Sequence, residues 1–335
     1  MKKINAAING FGRIGKLLLR IASDSDNIEI VAINDPFVSI ENALYIIKYD
    51  TIHGKFDKNA YIDGDYIVIE GKKILYTSHL KIENIDWKSC GVNVVFESSG
   101  AFTSKAGSQK HIKSGAEKVI ITGPSKDSPM FVMGVNENEY KQDMDIISNS
   151  SCTTNCLAPI AKILNDKYGI EEGLMTTIHA QTASQAVVDT ANKKNMRLGR
   201  SGSQNIIPSS TGAAKAVGVV IPELKGKITG MSLRVPTINV SVVDFTVKLK
   251  RGTNYDDIVK TIKKSSIENE NIVGYEEDGL VSSDFIGDER SCIIDINASI
   301  MLSDKFLKIL AWYDNEWAYS KRVIELAEYI YKKSN

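Results

Sequence analysis

The sequence has few cysteines, no excess of either charge and no long apolar run. Four cysteines in 335 residues, without paired zinc-ligand spacing, argue against a secreted disulfide framework and indicate a reducing compartment. Lysine plus arginine and aspartate plus glutamate each number 41, so no overall field attracts nucleic acid or an anionic membrane. No run approaches the roughly 18 apolar residues of a membrane span. We therefore expect no nucleic-acid or membrane partner, and any anionic ligand must be held by local groups.

The amino terminus also lacks a targeting pattern. Residues 1–9 lead directly into a short apolar strand, without the hydrophobic stretch of a signal peptide or the arginine-rich pattern of a transit peptide. We interpret this as a cytoplasmic protein. With 335 residues, of which 43% are hydrophobic, the chain exceeds what one core normally serves, which predicts two packed regions.

Residues 1–151 alternate short apolar runs with longer amphipathic ones. The predicted strands cover residues 4–8, 28–33, 92–96, 118–122 and 145–147, and the predicted helices cover residues 14–22 and 103–114. Residues 55–75 are typical of hairpin strands, with turns at the Asp-Gly and Glu-Gly pairs. Because strand and helix alternate, this part of the chain is expected to be an α/β domain with a parallel sheet and a small antiparallel insertion.

Residues 152–315 have a different pattern. A helix is predicted over residues 152–168, followed by β-rich runs at 173–179, 226–234, 241–249 and 292–302. This indicates an α+β domain with a mainly antiparallel sheet. Residues 181–204 are polar and too long for an ordinary connection, so they form either a functional loop or a disordered one.

The last segment, residues 316–335, is expected to return to the first domain. Within it a helix is predicted over residues 318–332, with Val323, Leu326, Ala327 and Ile330 at helical spacing as its apolar face.

Residues 10–15, GFGRIG, match the pattern G-x-G-x-x-G between the first predicted strand and helix. Without side chains, such a turn lets the backbone approach a pyrophosphate at a helix N-terminus. Asp35 ends the second predicted strand about twenty residues later, where an acid binds ribose hydroxyls. Together they predict a Rossmann-like dinucleotide site, and the alternative is a glycine-rich turn beside a solvated acid.

Cys152 stands at the predicted start of a helix, after small polar residues that could cap it. Helix N-termini favour thiolate, and His179 lies at a strand end from which its ring could reach the sulfur. Such a pair can form an activated nucleophile. On spacing alone the alternatives remain a packed cysteine and a polar surface histidine. The other histidines, His53, His79 and His111, show no metal-ligand pattern, so we expect them to be surface or structural and predict no metal.

Eight strings in order extend this pattern along the chain: INGFGRIG, AINDP, YDTIHGKF, SCTTNCLAPIAK, TTIHA, NIIPSSTGAAKAVG, RVPTINVSVVDFTV and WYDNEW. In sequence and spacing they resemble the phosphorylating glyceraldehyde-3-phosphate dehydrogenases from the first strand to the last helix. The resemblance implies a cytoplasmic NAD-dependent enzyme with an NAD-binding domain over residues 1–151, joined by helix 316–335, and a catalytic domain over 152–315.

The resemblance also implies roles for individual residues. Cys152 would be the nucleophile and His179 its base, with Cys156 a bystander. The residues that bind the attacking phosphate would be Ser151, Thr153, Thr211 and Gly212. Those that bind the substrate's own phosphate would be Thr182 and Arg234, with Arg200 as an addition. The NAD-binding residues would be Asn9, Gly10, Gly12, Arg13, Ile14, Asp35, Thr122 and Asn315. The partners would be glyceraldehyde 3-phosphate and inorganic phosphate, and the long loop would pack between the subunits of a homotetramer.

Two departures from the family pattern and two alternatives stay open. Residues 78–81, SHLK, stand where many relatives carry an arginine, so an adenine-side contact is missing or replaced. Residues 188–191, VDTA, lack the proline of many NAD-specific relatives, which weakens the expectation of strict NAD use. The rival enzyme is erythrose-4-phosphate dehydrogenase, although SSTGAAK favours the triose enzyme. The rival of another class is a non-catalytic adhesive surface protein on the same fold.

Overall fold

The computed structural model describes residues 3–193 and 195–334 of the chain. Two compact units are present. The first comprises Met1–Phe131, Glu137–Ser150 and Ser320–Asn335, and the second comprises Val132–Asn136 and Ser151–Tyr319. Met1 and Lys2 of the predicted first domain, Lys194 of the predicted loop and Asn335 of the predicted last segment lie outside the described residues.

The first unit is built on an eight-stranded sheet. Its strands and helices are β1 (Ile4–Asn9), β2 (Ile28–Asn34), β3 (Tyr49–Asp50), β4 (Gly54–Lys55), β5 (Ala60–Asp63), β6 (Tyr66–Ile69), β7 (Lys72–Thr77), β8 (Val94–Glu97), β9 (Lys118–Ile121), β10 (Ile146–Ser148), α1 (Arg13–Ala22), α2 (Ile40–Lys48) and α3 (Lys105–Lys113). The strand order is β10-β9-β8-β1-β2-β7-β6-β5, while β3 and β4 pair separately. Neighbours from β10 to β7 are parallel, and β6 and β5 are added antiparallel. The predicted parallel sheet with its antiparallel insertion is confirmed.

The second unit is a seven-stranded mixed sheet with three helices. Its elements are α4 (Cys152–Tyr168), β11 (Ile170–His179), β12 (Ile207–Ser210), α5 (Ala213–Val220), β13 (Ile228–Arg234), β14 (Ser241–Leu249), α6 (Tyr255–Glu268), β15 (Val273–Glu276), β16 (Cys292–Ser303) and β17 (Phe306–Tyr313). The strand order is β12-β13-β11-β14-β17-β16-β15. The pairs β11–β13 and β15–β16 are parallel and the others antiparallel, in agreement with the predicted α+β sheet.

The last helix, α7 (Trp317–Ser334), buries the face predicted from helical spacing. Val323, Leu326 and Ala327 are fully buried, and Ile330 is 1% exposed. Within the first unit, Ser25 Oγ donates to Glu328 Oε1 at 3.0 Å, which ties this helix to the turn before β2. In the part of the chain that is described, no helix is both long and apolar enough to cross a membrane.

The predicted loop 181–204 contains its own hydrogen bonds. A short 3-10 helix covers Met196–Gly199, and an isolated bridge joins Ala186 to Ser201. Ser201 Oγ donates to the Val187 carbonyl at 2.7 Å, and Ser201 N donates to Asp189 Oδ1 at 2.9 Å. Of the two alternatives for this stretch, its described residues favour an ordered loop.

Candidate active site

Two parallel strands bring a histidine and an arginine side by side. His179 and Arg234 are the last residues of β11 and β13 and are partners in the parallel register. Arg234 Nη1 lies 2.7 Å from His179 Nδ1, which also lies 2.7 Å from the Ala180 carbonyl oxygen. Both side chains are withdrawn from solvent, since His179 is only 4% exposed and Arg234 is half-buried.

Cys152 begins α4 as predicted. Ser151 is the N-cap residue, and its Oγ accepts a hydrogen bond from Thr154 N at 3.1 Å. This cap fixes the first helical turn. Cys152 is partly exposed, and its Sγ lies 3.5 Å from His179 Nε2. The sulfur, the imidazole and the guanidinium therefore form one cluster at the ends of three elements.

The pKa values in this cluster are set mainly by burial. Burial raises the pKa of the Cys152 thiol, although Arg234 and hydrogen bonds from Thr153 act in the opposite direction. The helix N-terminus was expected to lower this pKa. In this structure the pKa is raised instead, because the cost of removing the thiolate from water is larger than the stabilisation by the amide donors. Burial, followed by the charge of Arg234, lowers the pKa of His179 to about 4. The imidazole is consequently neutral near pH 7 and available as a base.

The two contacts of His179 Nδ1 correspond to two tautomers. A single ring nitrogen donates to the Ala180 carbonyl or accepts from Arg234 Nη1, but not both at once. With the proton on Nδ1, the lone pair of Nε2 faces the Cys152 sulfur and can remove a proton. With Arg234 donating to Nδ1, the proton is on Nε2, where it stabilises a thiolate. The Arg234 contact therefore favours the form with the proton on Nε2, and the Ala180 contact favours the form with the proton on Nδ1.

Tyr313 supports the cluster and was missed in the sequence. Its buried hydroxyl bonds Thr153 Oγ1 and Thr177 Oγ1, each at 2.9 Å, and burial raises its pKa. Its ring packs edge-on against His179 with centroids 6.1 Å apart. Nothing in the string WYDNEW distinguishes a tyrosine that fixes neighbouring side chains from one that fills the core.

Most of the other predicted phosphate ligands make local bonds. Thr182 Oγ1 bonds Ser184 Oγ at 3.0 Å, and Thr211 Oγ1 accepts from Ala213 N at 3.2 Å. Gly212 is the N-cap residue of α5. Arg200 is ion-paired with Asp189 at 2.7 Å.

Arg234 differs from these residues. Its Nε is buried and has no hydrogen-bond partner among the described residues. A buried donor without a partner costs about 1–3 kcal/mol, so the guanidinium is suited to take an anion.

Asn315 follows β17 and is oriented by a relay. Ala180 N donates to Ser241 Oγ at 2.9 Å, and Ser241 Oγ donates to Asn315 Oδ1 at 2.7 Å. This arrangement leaves the Asn315 amide protons as donors, which suits recognition of a carboxamide oxygen.

The glycine turn in the first unit has the geometry of a dinucleotide cradle. Gly10 has φ +92°, and a Cβ there would lie 2.4 Å from Ser99 N, while a Cβ on Gly15 would lie 2.2 Å from the Gly10 carbonyl oxygen. Nothing lies within 4 Å of a Cβ built on Gly12, and no side chain caps α1. The turn therefore leaves room for a phosphate at the N-terminus of α1, and NAD fits this turn.

The other residues predicted to bind NAD differ in how many of their polar side-chain atoms are already hydrogen-bonded to protein groups. Asp35 accepts from Phe11 N at 2.6 Å and Phe37 N at 2.8 Å, which leaves lone pairs on both oxygens. Asn9 Nδ2 donates to Glu97 Oε2 at 2.6 Å, and Arg13 Nη1 donates to Asp50 Oδ2 at 2.6 Å. Thr122 Oγ1 donates to the Glu97 carbonyl at 3.1 Å. Ile14 is half-buried. Asn9 and Arg13 therefore bind protein carboxylates in this structure.

The described residues contain no group of three or more His, Cys, Asp or Glu side chains able to hold a metal. His111, expected to be surface or structural, is fully buried and hydrogen-bonded to Trp87.

Comparison with known proteins gives full-length matches. Residues 4–105 match the family model described as glyceraldehyde 3-phosphate dehydrogenase, NAD binding domain, and residues 151–315 match the C-terminal domain model of that family. The chain is 56% identical over 331 residues to glyceraldehyde-3-phosphate dehydrogenase of Ogataea parapolymorpha, covering 98% of this chain and 99% of the relative. It is 53% identical over 330 residues to glyceraldehyde-3-phosphate dehydrogenase 3 of Saccharomyces cerevisiae, with 98% and 99% covered. A cytosolic glyceraldehyde-3-phosphate dehydrogenase of Pisum sativum is 54% identical over 334 residues, with 99% of each chain covered.

Proposed function

The chain belongs to the glyceraldehyde-3-phosphate dehydrogenase family, and from this premise we propose that Cys152 and His179 carry out its reaction. That reaction is the NAD-dependent oxidation of glyceraldehyde 3-phosphate to 1,3-bisphosphoglycerate with inorganic phosphate, a step of glycolysis and gluconeogenesis. The observation that supports the assignment is the distance of 3.5 Å between Cys152 Sγ and His179 Nε2, with Arg234 beside the ring.

The first half of the reaction makes a thioester on Cys152. The Cys152 sulfur adds to the aldehyde carbon, and the thiol proton passes through His179 Nε2 to the former carbonyl oxygen, which gives a hemithioacetal. NAD supplies the hydride acceptor for this carbon. As the carbon is oxidised, His179 Nε2 removes the hydroxyl proton, so that a carbonyl and a thioester result. The low pKa of His179 keeps Nε2 available for this proton at neutral pH.

The second half transfers the acyl group to phosphate. An oxygen of inorganic phosphate attacks the thioester carbon, the C–S bond breaks, and the protonated His179 returns its proton to the leaving thiolate. Ser151, Thr153, Thr211 and Gly212 are proposed around this phosphate. Thr182 and Arg234, with Arg200 as a further candidate, are proposed for the phosphate that the substrate already carries.

We propose that the first unit binds NAD and that the second unit, residues 151–319 with 132–136, carries the chemistry. The glycine turn before α1 supports this division, as do Asp35 in the first unit and the Cys152 cluster in the second. Asn9, Arg13, Ile14 and Thr122 are proposed to line the cofactor through their backbone or neighbouring groups. Asn315 is proposed to orient the carboxamide.

Side-by-side rates with glyceraldehyde 3-phosphate and erythrose 4-phosphate, each with and without inorganic phosphate, test the function. Phosphate-dependent turnover that favours the triose supports it. A preference for erythrose 4-phosphate would support the rival enzyme, and no turnover with either would support the adhesive alternative. The relatives that match over the full chain are named for the triose enzyme.

Arg234→Leu is expected to weaken use of the phosphorylated substrate selectively. Because charge-assisted hydrogen bonds contribute about 1.5–3 kcal/mol, kcat/KM for glyceraldehyde 3-phosphate should fall about 10-fold to 100-fold further than kcat/KM for unphosphorylated glyceraldehyde. Steady-state rates with the two aldehydes measure this difference. Loss of the Arg234 contact to His179 affects both substrates alike, so it cancels in the ratio.

Arg251→Leu is the control for that variant. Arg251 is an exposed arginine of the same unit whose guanidinium donates to the Lys167 carbonyl, away from the cluster. It should leave the ratio of the two aldehydes unchanged. Equal losses with both aldehydes in Arg234→Leu would remove the phosphate role from Arg234.

Asp35→Gly is expected to narrow the preference for NAD over NADP by about tenfold or more. In the wild type, a carboxylate facing a 2′-phosphate dianion meets repulsion and loses a hydrogen-bond partner. Small residues at Thr190 and Ala191 should already allow some NADP use. The measurement is kcat/KM for both cofactors, and Asp26→Gly, an exposed carboxylate in the turn before β2, is the matched control. A wild type that prefers NADP, or an unchanged ratio in the variant, would show that Asp35 does not set the choice.

We also propose a cytoplasmic homotetramer. Two relatives, from Arabidopsis thaliana and Pisum sativum, are named as cytosolic enzymes. Large exposed apolar side chains of the second unit support assembly: Leu174, Val187, Val188, Met196, Ile300 and Leu302, each at least 60% exposed. Contiguous exposed apolar surface commonly marks subunit interfaces. Sedimentation at micromolar concentration tests the assembly, and a monomer would contradict it.

A further inference from the structure

A buried chain of hydrogen bonds runs beneath the glycine turn of the first unit. Its centre is Glu97, the last residue of β8, which is 1% exposed. The bonds are Trp87 Nε1 to His111 Nδ1 at 3.0 Å, His111 Nε2 to Glu97 Oε2 at 2.9 Å, Asn9 Nδ2 to Glu97 Oε2 at 2.6 Å, Asn34 Nδ2 to Asn9 Oδ1 at 2.9 Å and Thr77 Oγ1 to Asn34 Oδ1 at 2.9 Å. This chain joins α3 to the ends of β8, β1, β2 and β7.

Every proton in this chain has a defined position. The indole of Trp87 can only donate, so His111 Nδ1 is the acceptor and His111 Nε2 carries the ring proton. That proton is donated to Glu97, and the ring is neutral. Asn9 therefore turns its amide nitrogen to Glu97 and its oxygen to Asn34.

The carboxylate of Glu97 is the common acceptor. Its Oε2 accepts from His111 and Asn9, and its Oε1 accepts from Ser99 N at 2.9 Å and Ser99 Oγ at 2.5 Å. Four neutral donors thus surround one buried charge. Such a carboxylate holds its donors more strongly than a neutral acceptor does.

These donors include the walls of the cofactor cradle. Ser99 N is the atom that a Cβ on Gly10 would meet at 2.4 Å, so Ser99 fixes how close the glycine turn and the end of β8 approach. The Gly10 amide donates to the Asn34 carbonyl and the Ser98 amide donates to the Asn9 carbonyl, each at 2.8 Å. Glu97 therefore holds Ser99 on one side of the glycine turn. On the other side it holds the ends of β1 and β2 through Asn9 and Asn34.

We propose that Glu97 is a positioning residue for NAD: its ionised carboxylate, with its protons directed by Trp87 and His111, holds the glycine turn and the segment after β8 in the conformation that binds the cofactor. The inference rests on NAD binding at this turn, as proposed above. Glu97 acts through its neighbours and takes no part in the chemistry at Cys152.

Glu97→Gln tests this role without changing the size of the side chain. Whichever way the new amide turns, its NH₂ group faces at least one group that can only donate. In one orientation these are His111 Nε2 and the Asn9 amide, and in the other it is Ser99 N, while the Ser99 hydroxyl can rotate to accept. His111 cannot reverse its proton to compensate, because Trp87 already occupies Nδ1. At least one bond to this side chain is lost and the remaining acceptor is neutral, so calorimetric titration with NAD should show a Kd raised about tenfold.

Two further readouts separate positioning from general loosening. At saturating NAD the single-turnover rate should stay within about threefold of wild type, since the Cys152 cluster is not involved. In protein labelled with ¹⁵N-tryptophan and free of cofactor, the indole resonance of Trp87, assigned with Trp87→Phe, should shift in Glu97→Gln.

Ser108→Ala is the matched control. Ser108 lies on α3 with His111, is fully buried, and donates to the Phe102 carbonyl at 2.7 Å. This variant loses a buried bond but should keep the wild-type Kd. If Glu97→Gln folds and binds NAD as wild type does, or if Ser108→Ala loses affinity equally, the positioning role is wrong.

If Glu97→Gln fails to fold, the Kd of Ser99→Ala for NAD tests the positioning role instead. Ser99 is exposed, and its variant should fold normally and bind NAD about threefold more weakly; an unchanged Kd would overturn the proposal. A wild type that does not bind NAD would instead contradict the proposed function, so the two failures are distinguishable.

Discussion

Replacing Cys152 with serine is expected to lower kcat by on the order of 10⁴-fold or more, because the covalent route needs an ionisable sulfur. A serine hydroxyl ionises far less readily than a thiol, and the acyl intermediate would lose its reactive C–S bond. His179 at 3.5 Å would have to deprotonate an alcohol with a ring whose pKa is about 4. Formation of NADH from glyceraldehyde 3-phosphate, NAD and inorganic phosphate measures the loss.

Cys156→Ser is the control for the nucleophile. Cys156 is fully buried in the same helix, its Sγ lies 3.9 Å from the Ala311 carbonyl, and burial raises its pKa well above the ordinary range. Its variant should keep activity within a few fold. Iodoacetate should inactivate the wild type with the label on Cys152, faster as the pH rises because the pKa of that thiol is also raised. Inactivation with Cys156 labelled and Cys152 free would show that the wrong cysteine has been assigned.

For His179→Asn we expect the rate of the chemical step to fall about 10²-fold to 10⁴-fold, the usual effect of losing a general base. Single-turnover hydride transfer at saturating NAD isolates this step. In the wild type the rate should decline only as the pH falls towards 4, because burial and Arg234 lower the pKa of His179 to about 4 and the protonated ring cannot accept the proton. The variant should lack this decline.

His79→Asn provides the comparison for that experiment. His79 is an exposed histidine of the first unit, and its backbone amide and carbonyl are hydrogen-bonded to Asn34. At saturating cofactor it should behave as wild type. If His179→Asn transferred hydride at the wild-type rate, the base would have to be another group.

The bounds of helices and strands with a strong apolar periodicity could be predicted closely from the sequence. The helix over residues 152–168 has the predicted bounds, because a capping serine precedes it and a glycine follows it. Helix α6 was missed although Asn254 caps it, because only Ile258 and Ile262 are buried and the apolar stripe is thin. Strand β17 was also missed, as was α5, whose valines and internal glycine are poor helix formers.

The sequence proposes residues for the site, but it does not reveal their pKa values. Residue types and order along the chain pointed to Cys152 and His179, whereas the direction of the Cys152 pKa depends on burial, which no local pattern reveals. His111 and Glu97 were not recognised because their partners lie 14 to 24 residues away or further. Asn9 was predicted as a cofactor ligand, but its side chain is bonded to Glu97 and Asn34.

The parallel pairing of β11 with β13 also restricts which insertions and deletions the chain can tolerate. His179 and Arg234 meet only because both strands end in register, although 55 positions separate them in the sequence. Length changes in the connecting loops leave that register intact. A single residue inserted within β13 would turn Arg234 to the opposite face of the sheet, since side chains alternate along a strand. Length variation among functional homologues should therefore concentrate in the connections and be absent from Ile228–Arg234.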